Sequence, residues 1–207
     1  MSIGVTYIVD DDEPTRDSLH FLLTSAGLPA RVQESASAFA AALPVTGAAC
    51  LVTDIRMPDM SGIDLLKIVQ AKQPDLPVVV ITGHGDIALA VEAMKLGAVD
   101  FLEKPYSEEA MLSAVEAAVR RSSVDASGSS EKDEILERVT TLSVRERQVL
   151  DGVVAGKPNK VIAYDLDISP RTVEVYRANL MTKMRASSLS HLVRLALVAG
   201  IGNAPGG

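Results

Sequence analysis

The chain has 207 residues, a formal net charge of −7, 47% hydrophobic residues and one cysteine. This length allows one large domain or two small ones, and the single cysteine excludes an internal disulfide. No stretch approaches the roughly 20 apolar residues of a membrane span, and the N-terminus has no basic segment typical of a signal peptide. These features predict a soluble, cytoplasmic protein.

Through residue 122 the hydrophobic pattern alternates between strand and helix about five times. A short strand is expected over 30–33, and apolar strands precede Asp10, Asp54, Thr82 and Lys104. Strands that alternate with helices of this length predict a doubly wound parallel (βα)5 sheet with helices on both faces, an α/β fold. The expected helices cover residues 14–26, 35–43, 63–73, 86–96 and 107–122.

The strand pattern ends after residue 122, and a small all-α domain is predicted to follow. Residues 123–137 are rich in serine and charge, which favours a partly helical linker before a domain over 138–207. Ser143 and Glu146 have the spacing of a capping box at the start of one helix. Asn159 is expected to cap the next helix, and Ser169-Pro170 to open the third. The predicted helices cover residues 143–155, 159–166, 170–184 and 188–199.

Chemically active side chains follow four of the predicted strands: Asp10 to Asp12, Asp54, Thr82 and Lys104. Because the carboxyl ends of parallel strands lie at one edge of the sheet, these groups are expected to lie close together. Acids, a hydroxyl and an ammonium in one place suit a divalent cation and a phosphoryl group. Asp54 then becomes a candidate nucleophile, with Thr82 and Lys104 holding the product's oxygens.

The acidic residues at this edge also fit two alternatives. The acids 10–12 alone would be typical of a solvated loop. A small metal-dependent phosphatase or phosphotransferase would use the same cation chemistry. That class of enzyme usually has a general acid and a substrate pocket, whereas Arg56 stands two residues after Asp54 and no large insertion provides a cap.

The first half resembles the receiver domains of response regulators, through Val9-Asp10-Asp11, Asp54 with Met57-Pro58 and Gly62, Thr82-Gly83, and Phe101 before Lys104-Pro105. The resemblance implies a non-enzymatic regulator in which a histidine kinase phosphorylates Asp54, and it implies a cis Lys104–Pro105 peptide. It implies that Thr82 and Phe101 switch conformation and that the face carrying Val91, Lys95 and Phe101 forms a homodimer after phosphorylation. The implied Mg²⁺ ligands are Asp10, Asp11, Asp54 and the backbone carbonyl of Arg56.

Charge is unevenly distributed along the chain. Residues 1–124 carry 17 acids and 9 bases, net −8, whereas residues 142–207 carry 5 acids and 9 bases, net +4. An acidic half beside a basic half indicates that only the second half meets a polyanion. Its two short helices joined at 167–170 fit a helix-turn-helix, although the modest charge alone would favour an ordinary four-helix packing module with solvated charges. The candidate DNA contacts are Lys160, Arg171, Thr172, Glu174, Val175, Arg177, Ala178 and Lys183.

The basic half resembles the LuxR/NarL-type helix-turn-helix over residues 138–200. The matching segments are Leu142-Ser143-x-Arg145-Glu146, Asn159-Lys160-x-Ile162-Ala163 and Ile168-Ser169-x-Arg171-Thr172-Val173-Glu174. Pro158 and Tyr176 depart from the family pattern, and Tyr176 leaves the contact at its position open.

Together the halves resemble the FixJ group of nitrogen-fixation regulators, which are paired with a haem-based oxygen-sensing kinase. That resemblance implies a FixL-like kinase, promoter DNA and RNA polymerase as partners. It also implies activation of nitrogen-fixation or low-oxygen genes. A FixJ-like regulator of another pathway and a constitutive DNA-binding protein are the alternatives.

Overall fold

The computed structural model describes residues 4–83, 87–121 and 129–202. The chain divides into two compact units, residues 1–125 and 126–207. His84 to Asp86, including the residue predicted to open the fourth helix, lie outside the described residues. Among the helices that the structure describes, none is both long and apolar enough to cross a membrane.

The first unit is a five-stranded, wholly parallel sheet with strand order β2-β1-β3-β4-β5. This order places β3 in the centre and makes β1, β3, β4 and β5 consecutive neighbours, as the predicted α/β fold requires. The strands are β1 Val5–Val9, β2 Ala30–Gln33, β3 Ala49–Asp54, β4 Val78–Thr82 and β5 Asp100–Glu103. The helices are α1 Glu13–Ser25, α2 Ala36–Ala42, α3 Gly62–Lys72, α4 Ile87–Lys95 and α5 Glu108–Arg121.

The central strands are apolar along their whole length because helices cover both faces of the sheet. Every residue of β3 and β4 is buried. On one face, Ile8, Val52 and Ile81 pack with Leu23 of α1 and Met111 of α5. This continuous core fixes the strand ends relative to one another, which sets the spacing of the side chains that follow them.

Polar caps set the ends of the helices next to the carboxyl edge of the sheet. The Asp12 carboxylate accepts a hydrogen bond from the Thr15 N–H, so α1 begins at Glu13, one residue before the predicted start. Ser61 caps α3 in the same way. Gly97 lies just after α4 with a φ of 98°, where a side chain would be strained. The predicted helices therefore agree with the observed ones to within a residue or two at their described ends.

The second unit is entirely helical over its described residues: α6 Ser129–Thr140, α7 Val144–Val154, α8 Asn159–Leu166, α9 Pro170–Met184 and α10 Leu189–Val198. The predicted capping box is confirmed, since Ser143 accepts from the Glu146 N–H and the Glu146 carboxylate accepts from the Ser143 N–H. Val149, Leu150, Val173, Leu180 and Met184 are fully buried between α7 and α9.

One cap prediction is wrong. Asn159 is the first helical residue of α8, and Pro158 occupies the cap position without a side-chain hydrogen bond. The Asn159 amide oxygen instead accepts a hydrogen bond of 2.7 Å from the Arg177 guanidinium on α9. The Asn159 side chain, predicted to cap the helix, therefore makes a tertiary hydrogen bond to Arg177 instead.

Candidate functional site

The strand order brings the predicted strand-end residues to one edge of the first unit. Asp54 ends β3, Thr82 ends β4, and Asp10 and Lys104 directly follow β1 and β5. Asp10, Asp54 and Thr82 are 2%, 6% and 2% exposed, so their polar groups lie at the bottom of the edge and not on an open surface. Such buried, functionally capable groups need partners, and the structure supplies them.

Lys104 joins the two buried carboxylates. Its Nζ lies 2.6 Å from Asp54 Oδ1 and 3.4 Å from Asp10 Oδ2. Burial alone would lower the pKa of Lys104, but the hydrogen bond and charge of Asp54 and the charge of Asp10 outweigh it and raise that pKa. Lys104 is therefore a fixed cation at neutral pH. The Lys104–Pro105 peptide bond is cis, as the family resemblance implied.

Asp10 is held from both its side chain and its backbone. Its Oδ1 accepts from the Asp12 N–H at 2.9 Å, and its carbonyl oxygen accepts from Arg16 Nη1 at 2.8 Å. Burial raises the pKa of Asp10 above its ordinary value, while the Asp12 N–H and Lys104 act in the opposite direction. The neighbouring Asp11 is exposed, so its carboxylate lies at the open side of the edge.

Asp54 has its carboxylate orientation fixed by the loop that follows β3. The Arg56 N–H donates to Asp54 Oδ2 at 2.6 Å, opposite the oxygen that Lys104 contacts. Gly62 has a structural reason for its place in the receiver motif, because a Cβ there would lie 2.1 Å from the Asp54 carbonyl oxygen. Only glycine lets the start of α3 approach β3 this closely.

The oxygen groups of this edge have the chemistry that Mg²⁺ prefers. Mg²⁺ usually takes one or two carboxylates and retains several waters, with phosphate oxygens completing its shell. Asp10 and Asp54 converge on one ammonium, and Asp11 and the Arg56 backbone lie beside them in sequence. Over the described residues, no group of three acidic, histidine or cysteine side chains is gathered closely enough for an all-protein metal cage. Asp10 and Asp54 can therefore supply the one or two carboxylates that a magnesium site takes from a protein.

The predicted dimer face is only partly on the surface. Val91 and Phe101 are 2% and 6% exposed and belong to the core, whereas Lys95 is exposed. Ala88 and Glu92 complete the exposed side of α4 beside Lys95. Val91 and Phe101 thus lie behind this face and are not available for direct contact with another molecule.

In the second unit, α8 and α9 form a helix-turn-helix. Asp167 turns the chain with a φ of 54°, and Ser169 caps α9 through the Thr172 N–H. Val173, Leu180 and Met184 point into the core, as predicted, which leaves the opposite face of α9 free of core contacts. Of the candidate DNA contacts, the exposed ones are Lys160, Arg171, Glu174, Val175, Ala178 and Lys183, while Thr172 and Arg177 are half-buried.

Two of the predicted phosphate contacts are engaged within the unit. Arg177 donates to Asn159, which ties α9 to α8. Lys183 Nζ lies 2.7 Å from the Oε2 atom of Glu146 and also donates to the Thr141 carbonyl. Glu146 is 4% exposed, so Lys183 neutralises a buried acid of the capping box. If Arg177 or Lys183 contacted a DNA phosphate, that contact would compete with these bonds. The exposed Lys160 and Arg171 would not face this competition.

Two side chains that hold the loops of the acidic edge were not predicted from the sequence. Arg16 bonds the Asp10 carbonyl. Asp59 accepts from the N–H and hydroxyl of Ser37, which fastens the loop after β3 to the start of α2. Arg16 lies one helical turn after Asp12, so helical spacing could have placed it beside the acids. The Asp59–Ser37 contact spans 22 residues, and no local pattern predicts it.

Comparison with known families supports both halves of this description. The model of the response regulator receiver domain matches residues 6–116. The model described as bacterial regulatory proteins of the luxR family matches residues 140–196. The two matches cover the acidic edge and the helix-turn-helix respectively.

Relatives and solved structures match nearly the whole chain. It is 53% identical to the transcriptional regulatory protein FixJ of Bradyrhizobium diazoefficiens over 97% of this chain and 98% of that one. It is 54% identical to FixJ of Rhizobium meliloti over 98% and 99%. The crystal structure of full-length FixJ from B. japonicum matches with a TM-score of 0.58 and 52% identity, over 97% and 98% of the two chains.

The chain therefore belongs to the two-component response regulators that join a receiver domain to a LuxR-type DNA-binding domain. Within that family it is similar to FixJ proteins over 94–98% of its length.

Proposed function

We propose that phosphorylation of Asp54 by a FixL-like sensor histidine kinase switches this regulator into a promoter-binding homodimer. The observation that carries the proposal is the contact of Lys104 Nζ with Asp54 Oδ1 at 2.6 Å on the buried carboxyl edge of the sheet. Asp54, Thr82 and Lys104 then place a nucleophilic carboxylate, a hydroxyl and a fixed cation at the ends of three adjacent strands, β3, β4 and β5.

The covalent step is phosphoryl transfer from a histidine nitrogen of the kinase. An Asp54 carboxylate oxygen forms a bond to phosphorus, the phosphorus–nitrogen bond breaks, and its electron pair returns to the imidazole. Little other covalent chemistry is needed, so positioning and charge stabilisation supply most of the rate. The Arg56 N–H holds the carboxylate in one orientation for this attack.

Mg²⁺, held by Asp10, Asp11, Asp54 and the Arg56 carbonyl, would neutralise the charge of the acids and of the incoming phosphoryl group. Lys104 Nζ already donates a hydrogen bond to the Asp54 carboxylate and could donate instead to an oxygen of the phosphoryl group. The pKa of Lys104 is raised, so this residue stays charged throughout.

Conformational change begins at Thr82 and Phe101. The Thr82 hydroxyl donates to the neighbouring Gly83 carbonyl at 3.3 Å, a long bond that a phosphoryl oxygen can replace. Movement of Thr82 leaves space on the β4–β5 side of the sheet, where the buried Phe101 ring can repack. Because Val91 lies on the buried side of α4 and Phe101 is buried on β5, we propose that this repacking alters the exposed face around Lys95 and that dimerisation occurs through that face.

Two DNA-binding units in one dimer match half-sites about one helical turn apart. Arg171 and Lys160 would neutralise phosphates, and Glu174, Val175 and Ala178 would face base edges in the major groove. Shifting the protein from 1:99 to 99:1 in favour of the active state requires about 5.5 kcal/mol of differential stabilisation. We propose that phosphoryl contacts and dimer formation together supply this difference.

We propose that the controlled genes are those of nitrogen fixation under low oxygen, with RNA polymerase recruited to their promoters. Support comes from three relatives named FixJ at 53–54% identity. The response regulator TodT of Pseudomonas putida is 42% identical over 93% of this chain, so another pathway is the competing assignment.

Footprinting on genomic promoter fragments tests this proposal. The full chain is incubated with Mg²⁺ and a small acyl phosphate, or without the phosphodonor, beside an Asp54→Asn variant. We expect protection of paired half-sites that depends on both the donor and Asp54. Equal protection with and without phosphorylation would show constitutive DNA binding and overturn the proposal. Protection upstream of genes unrelated to oxygen or nitrogen would overturn only the pathway assignment.

A further inference from the structure

Arg16 bonds to the phosphoryl edge without being part of it. Its Nη1 donates to the carbonyl oxygen of Asp10 at 2.8 Å, and the side chain is half-buried in the first turns of α1. A surface arginine would normally pair with a carboxylate or water. This one is committed to the backbone of the residue that carries a buried acid.

The position of Arg16 is itself fixed by the start of α1. Its backbone N–H donates to the Asp12 carbonyl at 3.0 Å, and Asp12 caps the helix through Thr15. The Asp12 N–H in turn donates to Asp10 Oδ1. The segment 10–16 thus forms a closed set of bonds in which Arg16 links the helix back to the end of β1.

This closed set determines which oxygen of Asp10 faces the site. With Oδ1 occupied by the Asp12 N–H, Oδ2 is the atom directed at Lys104, at 3.4 Å. Asp11, between these residues, depends on the same loop for its position. The guanidinium also brings a positive charge to a loop that holds three consecutive aspartates.

We propose that Arg16 is a positioning residue for the cation site: it holds the loop 10–12 so that Asp10 and Asp11 are preorganised for Mg²⁺ before the metal binds. The inference rests on the magnesium site of the proposed function. Residues that support metal ligands commonly change metal affinity by ten- to a hundredfold when removed, and a support acting through one backbone bond is expected near the lower end.

Amide hydrogen exchange in the metal-free full-length protein tests the positioning role apart from activity. Arg16→Met is compared with Arg31→Met, which removes an exposed arginine of β2. Arg16→Met removes the hydrogen bond from Arg16 to the Asp10 carbonyl, so Asp10 Oδ1 is held less firmly against the Asp12 N–H. We expect the Asp12 amide to exchange at least about fivefold faster in this variant, the change that loss of one hydrogen bond produces. Arg31→Met should exchange like the wild type.

Calorimetric titration of the same proteins with Mg²⁺ tests the consequence. Arg16→Met should bind Mg²⁺ about tenfold more weakly. Arg31→Met should be unchanged, and Arg16→Lys should fall between the two because an ammonium can still donate to the Asp10 carbonyl. Thermal unfolding identifies any variant that fails to fold, and Arg16→Lys then supplies the comparison.

Unchanged exchange at Asp12, or wild-type Mg²⁺ affinity in Arg16→Met, would overturn the inference. A wild-type protein that binds no Mg²⁺ would overturn the magnesium site of the proposed function and this inference together. Normal wild-type binding with an unaffected Arg16→Met variant would overturn the inference alone.

Discussion

At the scale of single residues, the acidic edge combines two buried carboxylates with one ammonium. Asp10 and Asp54 both approach Lys104, so one negative charge in the site is left without a full partner. Holding a charged carboxylate in this buried site costs free energy. The pKa of Asp10 is raised accordingly, mainly because of its burial. We propose that this charge is kept for function, because it would attract the cation that the phosphoryl group needs beside the acids.

Asp10→Asn is therefore expected to stabilise the metal-free protein. Because folding raises the pKa of Asp10 above 3.8, the ionised group lowers stability at every pH above that value, and its removal relieves this cost. We expect a gain of about 0.5–2 kcal/mol in the free energy of unfolding at pH 7 with a chelator present. Urea denaturation measures it, with Asp75→Asn at an exposed position as the control. A loss of stability in Asp10→Asn would contradict this prediction.

Residue types at strand ends were predictable from the sequence, and their bonds were not. A carboxylate or ammonium that follows an apolar run signals a sheet edge, so Asp54 and Lys104 could be placed near each other. Besides Lys104, the donors to Asp10 and Asp54 are backbone N–H groups and Arg16, and these bonds depend on loop geometry that no spacing rule contains.

At the scale of secondary-structure elements, the cations of α9, which we propose as the recognition helix, lie in two different settings. Arg171 is exposed at its first turn, whereas Lys183 near its end pairs with the buried Glu146 on α7. Helical periodicity correctly predicted the inner stripe of α9. It could not separate a cation that faces DNA from one that folds back onto a neighbouring helix.

Arg171 and Lys183 should respond differently to mutation. Arg171→Ala is expected to lower the slope of log affinity against log salt by about 1 and to leave stability unchanged. Lys183→Ala should mainly lower the free energy of unfolding, because it leaves the Glu146 carboxylate without its cation. DNA-binding titrations at several salt concentrations and urea denaturation distinguish them. An equal fall in salt slope for both variants would show that Lys183 leaves Glu146 to contact DNA.

The Glu146–Lys183 pair should also make stability depend on acid. The hydrogen bond from Lys183 and that from the Ser143 N–H hold the pKa of Glu146 below its ordinary value of 4.5. A lowered carboxyl pKa contributes stability that is fully present above about pH 4.5 and is lost as pH falls through the folded value.

Urea denaturation of the full chain between about pH 3 and pH 7 measures this contribution. Glu146→Gln should be less stable than the wild type by about 1–2 kcal/mol at pH 7, and the two should converge in acid. Glu137→Gln, at an exposed position of α6, is the control and should follow the wild type. Parallel wild-type and Glu146→Gln curves across the whole range would rule out the pair as the source.

At the scale of the whole molecule, the chain joins an acidic receiver domain to a basic LuxR-type DNA-binding domain. The change from strand–helix alternation to helices alone predicted two units, and the structure divides the chain into residues 1–125 and 126–207. The linker itself was harder to predict, because α6 starts at Ser129 and a serine-rich segment has no local feature that distinguishes a helix from a flexible connection. Neither fold identifies the partner, the operator or the signal. What we propose about them rests on similarity to the FixJ relatives.

The central claim is that one strand-end carboxylate receives a phosphoryl group and thereby controls assembly. Native mass spectrometry of the full chain with Mg²⁺ and a small acyl phosphate tests it, because one spectrum reports both phosphoryl addition and dimer formation. We expect one added phosphoryl group and a new dimer in the wild type, and neither in Asp54→Asn, whose fold should be intact by circular dichroism. Phosphoryl addition or donor-dependent dimers in Asp54→Asn, or an unmodified wild type, would contradict the claim.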